Sequence, residues 1–193
     1  MKVLSMLRKR SMRQLLSTLI KVLKTYSISD FYACGNGVII HSNVAISNPL
    51  KVQLGNNVYI GPDCDFFSDG GIIIGDGTVI GPHVVLMTSM HNYDASDLDA
   101  LPFDDSNTSS SIRIEKFCWI GTNVIVLPGV TIGEGSVIGA GSIVTHNIPK
   151  MAICAGNPAK LIKYRDPQKY HELSTKNISW VEKYRNKHPF RIN

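Results

Sequence analysis

The feature that most constrains this 193-residue sequence is an apolar residue that recurs at every sixth position, often with glycine directly after it. A six-residue period matches neither an amphipathic helix nor a simple alternating strand. It predicts short strands separated by tight turns, where Gly, Asn and Asp tolerate positive φ. The recurring positions are Leu54, Ile60, Phe66, Ile74, Ile80, Leu86, Ile114, Ile120, Val126, Ile132, Ile138 and Val144, with fainter units beginning at Ile40 and Ile46.

Three such units close one triangular coil, and stacked coils form a parallel β-helix with the apolar residues in a central column. Two units, Ile46–Gln53 and Phe66–Ile73, are lengthened to eight residues and lie twenty residues apart. We therefore predict an all-β core shaped as a triangular prism of about five coils.

The two terminal segments differ from the repeat and divide the chain into three regions. Residues 30–165 are predicted to form the β-helix domain, and residues 166–193 a helical tail. Residues 1–29 form a basic segment, within which residues 3–24 have the apolar stripe of an amphipathic helix. This helix is suited to a membrane surface, or to packing on its own protein or on a neighbouring subunit. Lys21 interrupts its apolar part and no small-residue cleavage site follows, so a signal peptide is not expected.

Charge is distributed unevenly along the chain, although the net charge is only +5. Both terminal segments are basic, whereas residues 30–159 contain twelve acids and four bases. This layout, without a recognisable nucleic-acid-binding motif, argues against a nucleic-acid partner. The four cysteines, Cys34, Cys64, Cys118 and Cys154, include no CxxC pair, and we expect buried reduced thiols in a cytoplasmic protein.

The repeat is interrupted between Leu86 and Ile114 by a polar loop that begins near His91. A loop that leaves the prism at a corner can help to build a binding site. Neutral imidazole is a suitable proton acceptor near neutral pH, so His91 is a candidate general base. From the spacing alone, a solvated loop histidine remains the alternative. His83 and His146 lie at repeat turns and are interpreted as surface histidines.

The repeat, together with "CWIGTNVIVLPGVTIGEGSVIGAGSIVTHNIP" and "AGNPAKLIK", resembles the hexapeptide-repeat acetyltransferases, in particular the galactoside, maltose and polysaccharide O-acetyltransferases. The resemblance is dense over residues 54–165. It implies a left-handed β-helix with a protruding loop at about residues 91–112. It also implies acetyl-CoA as cosubstrate, no required metal, and a homotrimer with active sites in grooves between neighbouring subunits.

The resemblance assigns His91 as the catalytic base for direct acetyl transfer to a hydroxyl group. Cys118, at an inward repeat position, is a poor candidate nucleophile. Asp94 and Asp97 are close enough in sequence to orient His91, with Asp94 favoured, although a main-chain carbonyl would serve equally well. Asp94 is also a candidate for contact with the acceptor. Asp63 stands where the galactoside enzymes have an acceptor-binding asparagine, and its carboxylate can accept hydrogen bonds but not donate them.

The resemblance also predicts the residues that bind the cofactor. Trp119 would lie near the pantetheine channel, and Lys160 and Lys163 would meet the CoA phosphates. The remaining predicted contacts, made largely by the main chain, are at Thr122, Ala140 and Thr145. Both lysines replace arginines of the galactoside enzymes, which loses bidentate geometry but keeps the charge.

The leading interpretation is an acetyl-CoA-dependent O-acetyltransferase that acts on a sugar, a polysaccharide or a lipopolysaccharide precursor. It would be cytoplasmic, with peripheral membrane contact through the N-terminal helix as a further option. Three enzymatic alternatives are N-acetylation of an amino sugar bound by Asp63, acetylation of an antibiotic and, less favoured, acetylation of serine. The alternatives from other classes are a trimeric scaffold and a carbonic-anhydrase-like metal protein, which would need three converging histidines.

Overall fold

A computed structural model describes residues 26–184 of the chain. The predicted amphipathic helix at residues 3–24 lies outside the described residues. The predicted parallel β-helix is confirmed, with five complete coils and part of a sixth instead of about five in total. Among residues 26–184, no helix has the length and apolarity needed to span a membrane.

The coils place their strands in three parallel sheets, which we call faces A, B and C. Each complete coil supplies one strand to each face in that order. The strands are β1 Ala33–Cys34, β2 Ile39–Ile40 and β3 Ala45–Ile46; β4 Val52–Leu54, β5 Tyr59–Ile60 and β6 Asp65–Phe67; β7 Ile72–Ile74, β8 Val79–Ile80 and β9 Val85–Met87; β12 Ile112–Ile114, β13 Trp119–Ile120 and β14 Ile125–Val126; β15 Thr131–Ile132, β16 Val137–Ile138 and β17 Ile143–Val144; and, on face B alone, β18 Ala152–Ala155. Short 3₁₀ helices at Ile28–Asp30 and Pro49–Lys51 precede the first strands of the first and second coils.

The apolar residues of the repeat form the interior of the prism. On face B, Ile60, Ile80 and Ile120 lie in register on successive coils and are fully buried. The glycines that follow them allow the coils to stack closely. A Cβ added to Gly121 would lie 2.7 Å from the backbone nitrogen of Ala140, closer than real side chains approach. The six-residue spacing therefore satisfies both core packing and backbone hydrogen bonding between coils.

The break in the repeat is an antiparallel hairpin inserted between β9 and β12. Its strands are β10 Ser89–His91 and β11 Asn107–Ser109. The ladder between coils continues across it, because Ile74 before the insertion pairs directly with Ile114 after it. The hairpin thus projects from the corner between faces C and A and leaves the prism intact.

The C-terminal part of the described chain returns along face B. Strand β19 Lys160–Tyr164 pairs antiparallel with β18, and helices α1 Pro167–Thr175 and α2 Trp180–Tyr184 follow. The hydroxyl of Tyr170 donates to Glu134 Oε1 at 2.8 Å, and Trp180 packs edge-on against Tyr59 with ring centroids 5.6 Å apart. These contacts hold the described part of the tail, which ends at Tyr184, against the outer surface of face B.

Candidate active site

A buried carboxylate holds the hairpin together just beyond the ends of its two strands. Asp104 accepts hydrogen bonds from Asn92 Nδ2 at 3.0 Å and from the backbone nitrogen of Ser106 at 2.8 Å, and also from the Ser106 hydroxyl. The Ser106 hydroxyl is the main reason that the pKa of Asp104 lies below its usual value. The backbone nitrogen of Asp104 donates to the carbonyl of Asn92 at 3.2 Å. These bonds tie the two ends of the intervening loop together.

His91 is the last residue of β10 and is exposed. Its ring stacks on Phe103, with centroids 4.1 Å apart and an interplanar angle of 16°. Within the described part of the chain, neither ring nitrogen of His91 makes a hydrogen bond. Both nitrogens are therefore available to groups outside this chain, while one ring face is covered by an aromatic side chain.

The structure does not bring Asp94 into contact with His91. Asp94 is exposed in the bend after β10, and among residues 26–184 it has no hydrogen bond or ion pair. Asp104 is instead a carboxylate close enough to interact electrostatically with His91. This interaction makes a minor contribution to lowering the pKa of Asp104. Asp104 was not predicted as a site residue, because it lies thirteen residues from His91 in the sequence and only the pairing of the hairpin strands brings the two together.

Three predicted site residues, Asp63, Thr122 and Ala140, lie at the corner between faces B and C. Asp63 adopts a left-handed turn conformation, φ 57°, and accepts a hydrogen bond from Asn43 Nδ2 at 3.1 Å. Thr122 donates its hydroxyl to the carbonyl of Pro82 at 3.0 Å. Ala140 is exposed on the next coil along this corner. Asp63 thus has a structural role in its turn, whether or not it binds an acceptor.

Thr145 lies at the other end of face C, at the corner from which the hairpin projects. Its hydroxyl and the Nδ1 of His146 are 2.7 Å apart. Face C therefore separates His91 and Thr145 from Asp63, Thr122 and Ala140. A single chain does not bring all of these residues into one pocket.

Trp119 lies on the outer surface of face B and is 56% exposed. It lines a cavity of about 720 Å³ between this face and the C-terminal helices, with Phe117, Tyr170 and Trp180 among the other lining residues. The predicted phosphate-binding residues Lys160 and Lys163 project from the exposed strand β19.

Cys118 is unsuited to nucleophilic catalysis. It is 2% exposed, and its thiol donates to the carbonyl of Gly133 at 3.2 Å. Burial raises the pKa of the Cys118 thiol to about 12, so the thiol remains protonated at neutral pH. All four cysteines are free thiols, and in the described ranges no three His, Cys, Asp or Glu side chains converge as metal ligands would.

Comparison with known proteins now gives the family. Residues 111–146, which form the fourth and fifth coils, match the family model described as bacterial transferase hexapeptide (six repeats). The chain is 36% identical over 131 residues to WcaF of Escherichia coli strain K12, a protein provisionally named as a colanic acid biosynthesis acetyltransferase. The alignment covers 68% of each chain. This protein belongs to the hexapeptide-repeat acetyltransferase family. The predicted family and the predicted enzyme class, an acyltransferase, are both confirmed.

Solved structures show the same relationship for this acetyltransferase. A maltose O-acetyltransferase from Clostridium difficile 630 is 33% identical, with a TM-score of 0.65 and 72% of each chain covered. An acetyltransferase from Vibrio cholerae O1 biovar eltor, solved in complex with acetyl-CoA, is 25% identical, with a TM-score of 0.69, 77% of this chain covered and 83% of that one. The left-handed β-helix implied by the sequence resemblance agrees with these similarities.

Proposed function

We propose that this protein transfers an acetyl group from acetyl-CoA to a hydroxyl of a sugar or of a polysaccharide or lipopolysaccharide precursor, with His91 as general base. The observation that carries the proposal is the position of His91: an exposed imidazole, with both nitrogens available, on a hairpin that projects from the β-helix. The solved complex with acetyl-CoA and the solved maltose O-acetyltransferase support the donor and the acceptor class, respectively.

The reaction requires one proton to be moved. As the acceptor oxygen attacks the thioester carbonyl carbon, an imidazole nitrogen of His91 takes the hydroxyl proton. The carbon–sulfur bond then breaks, and the proton passes from His91 to the departing CoA sulfur. The products are the acetyl ester and free CoA thiol, with no acyl-enzyme. The protonated, buried Cys118 thiol supports this direct route.

The separation of the predicted residues across face C supports a trimeric enzyme. Val85, Ile125 and Ile143 lie outward on successive coils of face C and form a half-buried apolar strip, which the tail does not cover as far as it is described, to Tyr184. If this strip packs against a neighbouring subunit, the His91 hairpin of one chain can face the cofactor-binding corner of the next. Asp63 and Asp94 would then lie on the acceptor side, and Thr122, Ala140 and Thr145 beside the pantetheine. A cytoplasmic location, with residues 1–29 contacting a membrane, belongs to the same proposal.

The two exposed lysines on β19 are proposed to bind the CoA phosphates. In the described part of the chain neither Lys160 nor Lys163 forms an ion pair, so both charges are available to an anion. The double variant Lys160→Ala/Lys163→Ala is expected to weaken CoA binding about tenfold, equivalent to about 1.4 kcal/mol, in a calorimetric titration. Lys176→Ala removes an exposed lysine that pairs with Glu172 and should leave CoA affinity unchanged. Equal affinity in the wild type and the double variant would remove both lysines from the site.

The decisive test of function is an acceptor screen. Purified protein and acetyl-CoA are mixed with sugars, amino sugars and oligosaccharides, and free CoA thiol is measured with a chromogenic disulfide. Acceptor-dependent release is expected for hydroxyl acceptors, with an ester that mild alkali cleaves. An alkali-stable product formed only from amino sugars would instead identify an N-acetyltransferase. The absence of acceptor-dependent release across carbohydrate acceptors would contradict the carbohydrate assignment.

A further inference from the structure

The ring of Phe103 lies against His91 in the hairpin but has no part in the chemical steps of the proposed reaction. Phe103 is a partly exposed aromatic side chain, with 43% of its surface accessible to solvent. Its contact is the imidazole, and the 16° angle between the planes makes this a face-to-face stack. The stack therefore covers one face of the candidate base and leaves the ring edges, which carry both nitrogens, uncovered.

Hydrogen bonds made by the residue that follows Phe103 hold this part of the loop in place. The next residue, Asp104, is 9% exposed and is hydrogen-bonded to Asn92, which directly follows His91, and to Ser106, which pairs with Asn92 across the hairpin. The amide of Asn92 donates to the carbonyl of Ser106 at 3.1 Å. The two stacked rings are thus each one residue away from a common hydrogen-bonded cluster, which limits how far they can move apart.

We propose that Phe103 is a positioning residue, which fixes the plane of the His91 imidazole so that a ring nitrogen points at the acceptor hydroxyl. This inference rests on the proposed function of His91. An exposed histidine without such a contact rotates freely about both side-chain torsions, and only a fraction of its rotamers would place a nitrogen in line. The flat ring of Phe103 restricts rotation of the His91 imidazole without forming a hydrogen bond to either ring nitrogen. Small misplacements of a reacting group are costly for catalysis, since rates depend steeply on alignment.

The test compares Phe103→Leu, which keeps an apolar side chain but has no flat face, with Phe103→Trp, which restores one. Phe103→Leu is expected to lower kcat about 10-fold to 100-fold while the KM for acetyl-CoA stays unchanged, because the residue acts through alignment and not through cofactor binding. Phe103→Trp should recover most of the loss. Tyr93→Ala is the matched control, since Tyr93 is another aromatic residue of the same hairpin, is 64% exposed, and should be dispensable for kcat.

A second measurement does not depend on activity. In the proton NMR spectrum of the wild type, the ring protons of His91 should be shifted upfield by the ring current of Phe103, with assignment by loss of the signals in His91→Ala. The shift should disappear in Phe103→Leu and persist in Tyr93→Ala. Unshifted His91 signals in the wild type would overturn the stack itself.

The kinetic outcomes separate this inference from the proposed function. If His91→Ala is inactive but Phe103→Leu retains the wild-type kcat, Phe103 has no positioning role and the base assignment stands. If His91→Ala is as active as the wild type, the base assignment fails, and the positioning role fails with it. Loss of kcat in Phe103→Leu without recovery in Phe103→Trp would also overturn the inference, because a flat face would then not be the property that matters.

Discussion

His91→Ala is expected to lower kcat/KM for the acceptor by about 10²-fold to 10⁴-fold, the usual contribution of a positioned general base. Without the imidazole, the acceptor hydroxyl must lose its proton to water while its oxygen attacks the thioester. The reduction should appear in kcat, since His91 is not proposed to bind CoA. Thiol release under saturating acetyl-CoA and a series of acceptor concentrations provides the measurement.

Two further variants make the result specific. His91→Gln keeps a polar side chain of similar reach but has no basic nitrogen, and it should be as inactive as His91→Ala. His171→Ala removes an exposed histidine of α1, far along the chain from the hairpin, and should retain full activity. Acceptor-dependent turnover at the wild-type rate in His91→Ala would show that another group, or no group, accepts the proton.

The second large effect is a loss of stability, expected when an inward-facing isoleucine of strand β7 on face A is shortened to alanine. Ile74 is 1% exposed and points inward, whereas Ile73 points outward between Gln53 and Arg113 of the adjacent coils. Ile74→Ala should lower the free energy of unfolding by about 2–5 kcal/mol, because it removes buried surface and leaves a cavity that rigid coils cannot close. Ile73→Ala should cost under about 1 kcal/mol, the range of strand propensity on an outer surface.

Urea unfolding at one fixed protein concentration compares the two variants under matched conditions, since assembly makes apparent stability depend on concentration. The pair shares residue type, strand and face, so only the direction of the side chain differs. Equal losses in the two variants would mean that the alternation of inward and outward positions does not describe this face.

The repeat spacing was sufficient to predict the β-helix because the same position of every six-residue unit is buried in the interior and is therefore apolar. Apolar residues such as Ile60, Ile80 and Ile120 must meet in the interior, and that requirement is visible in the sequence. The turns are less regular. Phe117 occupies a left-handed turn position, φ 56°, that Asn57 and Gly135 occupy on other coils, and an aromatic residue gives no sign of that conformation in the sequence.

The candidate site could be predicted only where a residue acts through its own chemistry. The imidazole of His91 could be proposed as a base from its residue type, its place at the break in the repeat and the resemblance to the family. The roles of Phe103 and Asp104 depend on the fold of the hairpin. Their partners, His91 and Asn92, each lie twelve residues earlier in the sequence, and the hairpin brings them together. The placement of Thr122 and His91 at opposite ends of face C depends on the winding of the chain, which residue types alone do not reveal.

The unbroken ladder beneath the hairpin has a consequence for how such enzymes can diversify. Val85 pairs with Ile125 across the insertion in the same parallel register that uninterrupted coils keep elsewhere, so the ladder continues past the inserted residues. The insertion can therefore change in length and composition without disturbing the scaffold that supports it. If the hairpin contacts the acceptor as proposed, transplanting it between relatives is expected to change acceptor preference while the coils that carry the proposed cofactor-binding residues stay the same.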